Sequence, residues 1–276
     1  MKTRSILAVF SLFLFGAGTA TAQVFTPYFE NAAALALGGA LVAAPNADHG
    51  VYNSALPAQD QTLSFLAGAV LPYGISGWQS YQIQAWAPAG PLGGLLFDAQ
   101  QNGTESYTEQ RFSGGYSRKL SDRFMLGADV HFLRLSQQEY GSANGVSAGI
   151  SVLSNPVPTL WLGASVAHPF GLELAGNRLP ARLRIGAAWA YGSNMLLLAE
   201  VDKDLDRRAQ VKAGLEYAPV TPVRIRIGMR SEPARPSFGL GFQLKNGIHL
   251  DAGADWHSTL GVTSGLTLSW RKPSGD

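Results

Sequence analysis

No cysteine occurs anywhere in the 276 residues, which removes disulfides, thiolate metal centres and thiol nucleophiles and fits an oxidising envelope compartment. Charge is scarce and nearly balanced: 14% of residues are Asp, Glu, Lys or Arg and the net is +2, too little to point to nucleic acid. Long apolar runs are missing as well. Beyond the first 22 residues no segment approaches the ~20 uncharged apolar residues of a spanning helix, so helices are excluded as a way across a bilayer. His49, His131, His168, His249 and His257 have no metal-ligand spacing, and Gly38-Gly39 and Gly192-Ser193 lack the strand–loop–helix setting of a phosphate loop. No catalytic signature stands out. The expectation is a non-enzymatic protein without cofactor or metal.

What is present begins with an export signal. Lys2 and Arg4 precede an apolar stretch at 6–15, and Ala20-Thr21-Ala22 supplies the small residues of a cleavage site, so residues 1–22 are expected to be removed before Gln23. Glycine is abundant at 32 residues, and the mean hydropathy of +0.04 is too polar for a bundle of membrane helices. Both suit a chain of strands in which half of each strand is polar.

The last fifty residues show that pattern most clearly. Val223, Ile225, Ile227 and Met229 alternate with Arg224, Arg226, Gly228 and Arg230; Phe238, Leu240 and Phe242 alternate with Gly239, Gly241 and Gln243. Leu250, Ala252, Ala254 and Trp256 alternate with Asp251, Gly253, Asp255 and His257. Successive side chains on a strand point to opposite faces, so each run has one greasy face and one polar face. Alternating runs bounded by turn residues are expected at 62–73, 79–88, 93–99, 108–117, 123–135, 145–154, 159–168, 181–191, 195–203, 208–217, 222–230, 237–245, 248–257 and 261–271. The count is even, as closure of a single chain requires, and an export signal precedes it. The expected fold is therefore all-β, a closed antiparallel transmembrane barrel of about 14 strands in an outer membrane.

Two further patterns agree with that reading. Connections after even-numbered strands, such as Ser121-Asp122 and Asn246-Gly247, are tight, while 100–107, 136–144, 169–180, 204–207 and 231–236, after odd-numbered strands, are longer or more polar. Tyr116, Trp189, Tyr191, Tyr217 and Trp270 fall on the greasy face near one end, and Tyr81, Phe132, Phe238 and Trp256 near the other. Amphipathic rings favour the two headgroup levels, so two girdles are expected.

Residues 23–61 do not alternate. They are Ala/Leu-rich with Gly38-Gly39 inside, and their expected place is within the barrel as a plug, followed by the barrel at 62–271 and a tail at 272–276. Gly38-Gly39-Ala40, Val42-Ala43, Asp48 and Tyr52-Asn53-Ser54-Ala55-Leu56 resemble the N-terminal signature of the FadL-like outer-membrane proteins, closest to their PorV/PorQ-type branch. The resemblance implies a fourteen-stranded barrel and marks Gly38, Gly39, Asn53 and Ala55 as the plug motif. Ser54 stands where that family usually has proline, and the outward connections are short for the capture of long-chain fatty acids.

The polar parity of the later strands carries Arg182, Arg184, Glu200, Asp202, Lys212, Glu216, Arg224, Arg226, Asp251 and Asp255. One reading makes these cross-strand ion pairs that rigidify a narrow lumen, since unpaired buried charge costs several kcal/mol. The other makes them a polar path, or a hold on the plug through Glu30, Asn53 or Asp48. The first is preferred. For function, the resemblance implies an interaction component of an envelope secretion or surface-assembly system, with outer-membrane lipids and secretion proteins as partners. The alternative is an outer-membrane transporter of small hydrophobic or amphipathic molecules.

Overall fold

The computed structural model describes Phe25 and residues 31–273, apart from the side chain of Arg178. The expected signal peptide, Gln23, Glu30 and the last three residues lie outside that set. The strands are β1 (Ser64–Leu71), β2 (Gln79–Pro88), β3 (Gly93–Gly103), β4 (Tyr107–Ser121), β5 (Phe124–Gln137), β6 (Gly141–Val157) and β7 (Leu160–Ala167). They continue with β8 (Leu172–Leu174), β9 (Asn177–Leu179), β10 (Arg182–Tyr191), β11 (Met195–Asp204), β12 (Gln210–Val220) and β13 (Val223–Arg230). The last are β14 (Arg235–Gln243), β15 (Ile248–His257) and β16 (Gly261–Arg271). All but β8 and β9 form one closed antiparallel barrel of fourteen strands, each next to its sequence neighbour, with β1 pairing β16 to shut the ring. At that seam Phe65 lies opposite Trp270 and their rings stack 6.0 Å apart on the outer surface.

Each alternating run corresponds to a barrel strand. The face assignment follows the same parity: Phe238 and Phe242 are exposed, while Ser237, Gly239 and Gly241 are buried. Tyr116, Trp189, Tyr191 and Tyr217 project outward at one rim, and Tyr81, Phe132, Phe238 and Trp256 at the other. Two of the expected long connections are corrected. Most of 100–107 and 136–144 is strand, so that β3 and β4 are joined by residues 104–106 and β5 and β6 by 138–140. There the ladder continues past the greasy band, and side chains on its outer face become polar: Gln110 Nε2 donates to the exposed Gln101 Oε1 at 2.9 Å. Hydrophobic alternation fades where a strand leaves hydrocarbon, although its hydrogen bonding does not. The connection at 169–180 in turn contains the hairpin of β8 and β9, whose Leu172 and Leu174 fold inward against Gly145.

Residues 31–61 lie inside the ring. Asn31 caps the short helix α1 (Ala32–Ala36), its Oδ1 accepting the Ala34 amide at 2.9 Å, and Gly38 and Gly39 end it at φ of +63° and +74°. Ala32, Ala34 and Ala36 are completely buried, because a helix held in a lumen is enclosed on every side. A 3-10 turn, Leu56–Ala58, follows. The wall receives this segment at inward glycines. A β-carbon built on Gly163 would stand 2.1 Å from the Val42 carbonyl oxygen, and one on Gly253 2.2 Å from that of Ala32. Much of the glycine is therefore clearance for a second layer of backbone.

Candidate functional site

The inner segment meets the wall through buried charge. Arg184 donates Nε to Glu200 at 2.8 Å and Nη1 to the Tyr52 carbonyl at 3.2 Å, while Glu200 Oε2 accepts the Val42 amide at 2.9 Å. Lys212 Nζ stands 3.2 Å from Glu200 and 2.8 Å from Asp202, and Arg182 grips Asp202 with two nitrogens. Arg226, 1% exposed, bridges Glu216 and Asp251, and Glu216 also accepts from His49 Nε2 at 2.8 Å. Arg224 and Arg271 hold the two oxygens of Asp48 at 2.9 and 2.8 Å. Burial pulls the Asp48 carboxyl upward, but Arg224, His49 and Arg271 outweigh it and leave it below the ordinary range. Asp255 lies between Arg230 and Arg235 at 3.7 and 3.6 Å.

The charged residues differ in what they contact. Arg182, Asp251 and Asp255 pair within the wall, whereas Arg184, Glu200, Glu216 and Arg224 also hold residues 31–61. Of the motif residues, Gly38 sits against the Met229 backbone and Gly39 ends the helix. Asn53 is not on the charge network. Its Nδ2 donates to the carbonyls of Val42 (2.7 Å) and Val152 (2.9 Å) and its Oδ1 accepts the Ala55 amide, so it ties the segment to itself and to β6. Ser54 donates to Ser151 Oγ at 2.9 Å, a bond that proline could not make. Sequence reasoning missed Arg271 and its partner Asp60 at 2.6 Å, although Arg271 lies on the inward parity beside Trp270.

Across the lumen, under β2–β7, the segment leaves space. A cavity of about 160 Å³ is lined by Gln82, Asp98, Arg111, Ser113, Asp129 and His131 among others. Asp98 accepts from Gln82 and Gln100 and stands 3.5 Å from Arg111. His131 spans Asp129 (2.6 Å) and Ser113 (2.8 Å), and its ring centre is 5.7 Å from that of His168. A second space of about 360 Å³ opens toward β8, β9 and the rim, bordered by Leu133, Leu179, Arg207 and Glu232. Phe25, Arg111, Ala167, His168 and Arg182 line both spaces, so the two adjoin there. Burial pushes the His168 imidazole down to about 4, helped by His131, Arg111 and Arg182, and so keeps it neutral at neutral pH. Gln82, Asp98, Arg111, Ser113, Asp129 and His131 were readable as inward parity on the second to fifth strands. Along the chain His131 and His168 can be weighed only for metal-ligand spacing, and their grouping was not readable because it crosses strands.

No family model and no curated protein matches the chain. Among solved structures it is similar to the CymD monoaromatic hydrocarbon channel, with 10% identity, 90% of this chain and 98% of that one covered, and a TM-score of 0.70. It is similar to the Pseudomonas putida toluene transporter TodX, with 12% identity, coverage of 91% and 100%, and a TM-score of 0.65. A Pseudomonas aeruginosa FadL homologue gives 12% identity, coverage of 88% and 97%, and a TM-score of 0.59. Likeness at identities this low establishes the shared fold alone.

Proposed function

We propose that the chain is an outer-membrane transporter for small hydrophobic or amphipathic molecules, exported by residues 1–22 and plugged by residues 23–61. The observation that carries this reading is the pair of adjoining spaces, an outer vestibule and a lumenal cavity, that share Phe25, His168, Arg111 and Arg182 in their linings. The floor of the inner space is Tyr52, Asn53 and Ser54, so passage requires the plug to shift there. Structural neighbours named as hydrocarbon channels support this reading over service to a secretion machine, the function implied by the PorV/PorQ-type resemblance.

The test is uptake. The chain is expressed in a Gram-negative host lacking its own route for one-ring aromatics, and entry of a radiolabelled aromatic is followed at low concentration. A several-fold rise in rate is expected, and it should vanish when Asn53→Leu locks or misplaces the floor. No rise with heat-modifiable, folded protein present in the outer membrane overturns the reading. Co-purification with secretion proteins and no uptake defect on gene deletion would restore the rival.

A further inference from the structure

We propose that the lumenal cavity selects a neutral one-ring molecule carrying a hydroxyl, of the phenol class, over a plain hydrocarbon of the same size. This rests on the passage reading above and names its substrate class. Size comes first. A cavity of ~150 Å³ with apolar walls is large enough to take benzene, so about 160 Å³ admits one ring. The walls here are mixed. Phe25, Val51, Leu96, Val166 and Ala167 supply apolar surface, but glutamines, serines, carboxylates, histidines and arginines bring polar groups to about half of it. A hydrocarbon entering such a space displaces water from polar groups and gives them nothing in return.

Charge decides between a neutral molecule and an anion. Each lining cation already faces a carboxylate: Arg182 holds Asp202, Arg184 holds Glu200, Lys212 holds both, and Arg111 stands by Asp98. A carboxylate ligand would arrive beside Asp98 and Asp129 with no spare cation to meet it. Hydrogen-bonding capacity, by contrast, is left over. His168 Nδ1 is engaged by Ser147 Oγ at 2.6 Å, which leaves Nε2 without a partner among the described residues, and Ser165 Oγ has none either. Gln82 is 4% exposed and its Nε2 faces the Asp98 carboxylate at 3.2 Å, which fixes the amide orientation; its Oε1 is buried without a partner. Buried groups in that state are few in folded proteins. A hydroxyl both donates and accepts, so it satisfies His168 Nε2 in either tautomer and Ser165 equally.

The purified full chain in lipid nanodiscs is titrated with 4-fluorophenol, 4-fluorotoluene and 4-fluorobenzoate, read by fluorine NMR against empty nanodiscs. Saturable binding of 4-fluorophenol is expected, about tenfold or more tighter than the other two, since a site built to bond a hydroxyl rejects the analogue lacking it. His168→Phe and the milder Ser165→Ala should each erode that preference while heat-modifiable gel mobility stays intact. Equal or tighter binding of 4-fluorotoluene or 4-fluorobenzoate overturns the proposal, as does a phenol preference untouched by both variants, or no saturable binding at all. Uptake separates the two levels: flux of one-ring aromatics without hydroxyl preference sinks this inference alone, whereas no flux sinks the passage reading.

Discussion

Beneath β11–β16 the lumen is filled mainly by α1 and buried ion pairs, whereas its cavity lies chiefly beneath β2–β7, although one continuous sheet walls both. On the packed side α1 lies against glycines of the wall, and Arg226, Lys212, Glu200 and Asp251 are among the most buried groups of the molecule. On the open side the plug backs onto Gly94 and Gly127 and is tied to Gln84, Ser151 and the Val152 carbonyl, and further polar side chains of the wall face a void. The difference teaches how one barrel both holds a plug and keeps a route. The filled side concentrates its buried charges in ion pairs, whereas the cavity side adds neutral amides, hydroxyls and imidazoles to Asp98, Arg111 and Asp129, where a guest can replace water.

The sharpest way to break this comparison is to remove the centre of the packed side. Arg226→Met leaves Glu216 and Asp251 buried without their shared cation and is expected to cost about 3–5 kcal/mol. Ser113→Ala, facing the cavity, should cost about 1 kcal/mol or less. Urea unfolding in liposomes compares them, and equal losses would show that the two sides are not energetically distinct.

Next comes the wall between the faces. Leu240→Arg places charge in hydrocarbon and is expected to cost about 2–4 kcal/mol near the midplane. By parity alone Gly241→Ser, pointing inward, would be mild. Its β-carbon, however, would stand 2.5 Å from Asp251 and 2.9 Å from Arg226, so comparable damage is expected on this side of the barrel. A neutral Gly241→Ser in the same unfolding assay would mean that the ion pairs yield easily.

Gly163→Leu tests the seat of the plug. It drives a side chain into the Val42 backbone and should raise single-channel conductance in a planar bilayer, since the inward wall is polar. The barrel's own unfolding should shift far less than with Arg226→Met. Unchanged conductance would show that the plug tolerates losing that contact.

The last test concerns pH. His168 titrates near 4 in the folded protein against an ordinary 6.5, so between those values the unfolded chain carries a proton that the folded chain does not. Stability should therefore decline as pH falls from 6.5 toward 4, and His168→Asn should flatten that decline. Parallel pH profiles for the two proteins would show that the site is open enough to water for ordinary titration.

How much of this was legible beforehand depends on the range over which residues interact. The strands, their inward and outward faces, the aromatic girdles and the charged parity of β10–β15 are local, because a period of two repeated within ten residues encodes each of them. The continuation of β3–β6 beyond the greasy band was not legible, since their outer ends are polar on both faces and only a partner strand shows that the ladder continues. Nor was the hairpin of β8 and β9, three residues a side, whose leucines are explained by Gly145 and Leu133 across the mouth.

The candidate site divides along the same line. By itself the sequence determined the barrel, the parity of its charges and a non-alternating segment small enough to enter it. Only the tertiary structure decided which wall that segment leans on and which glycines make room for it. It also decided that Asp98, Arg111, Asp129, His131 and His168, drawn from separate strands and a loop, surround one space. The physical reason is closure. Curling the sheet into a ring brings inward side chains of distant strands face to face, and no spacing along the chain encodes distances across a lumen.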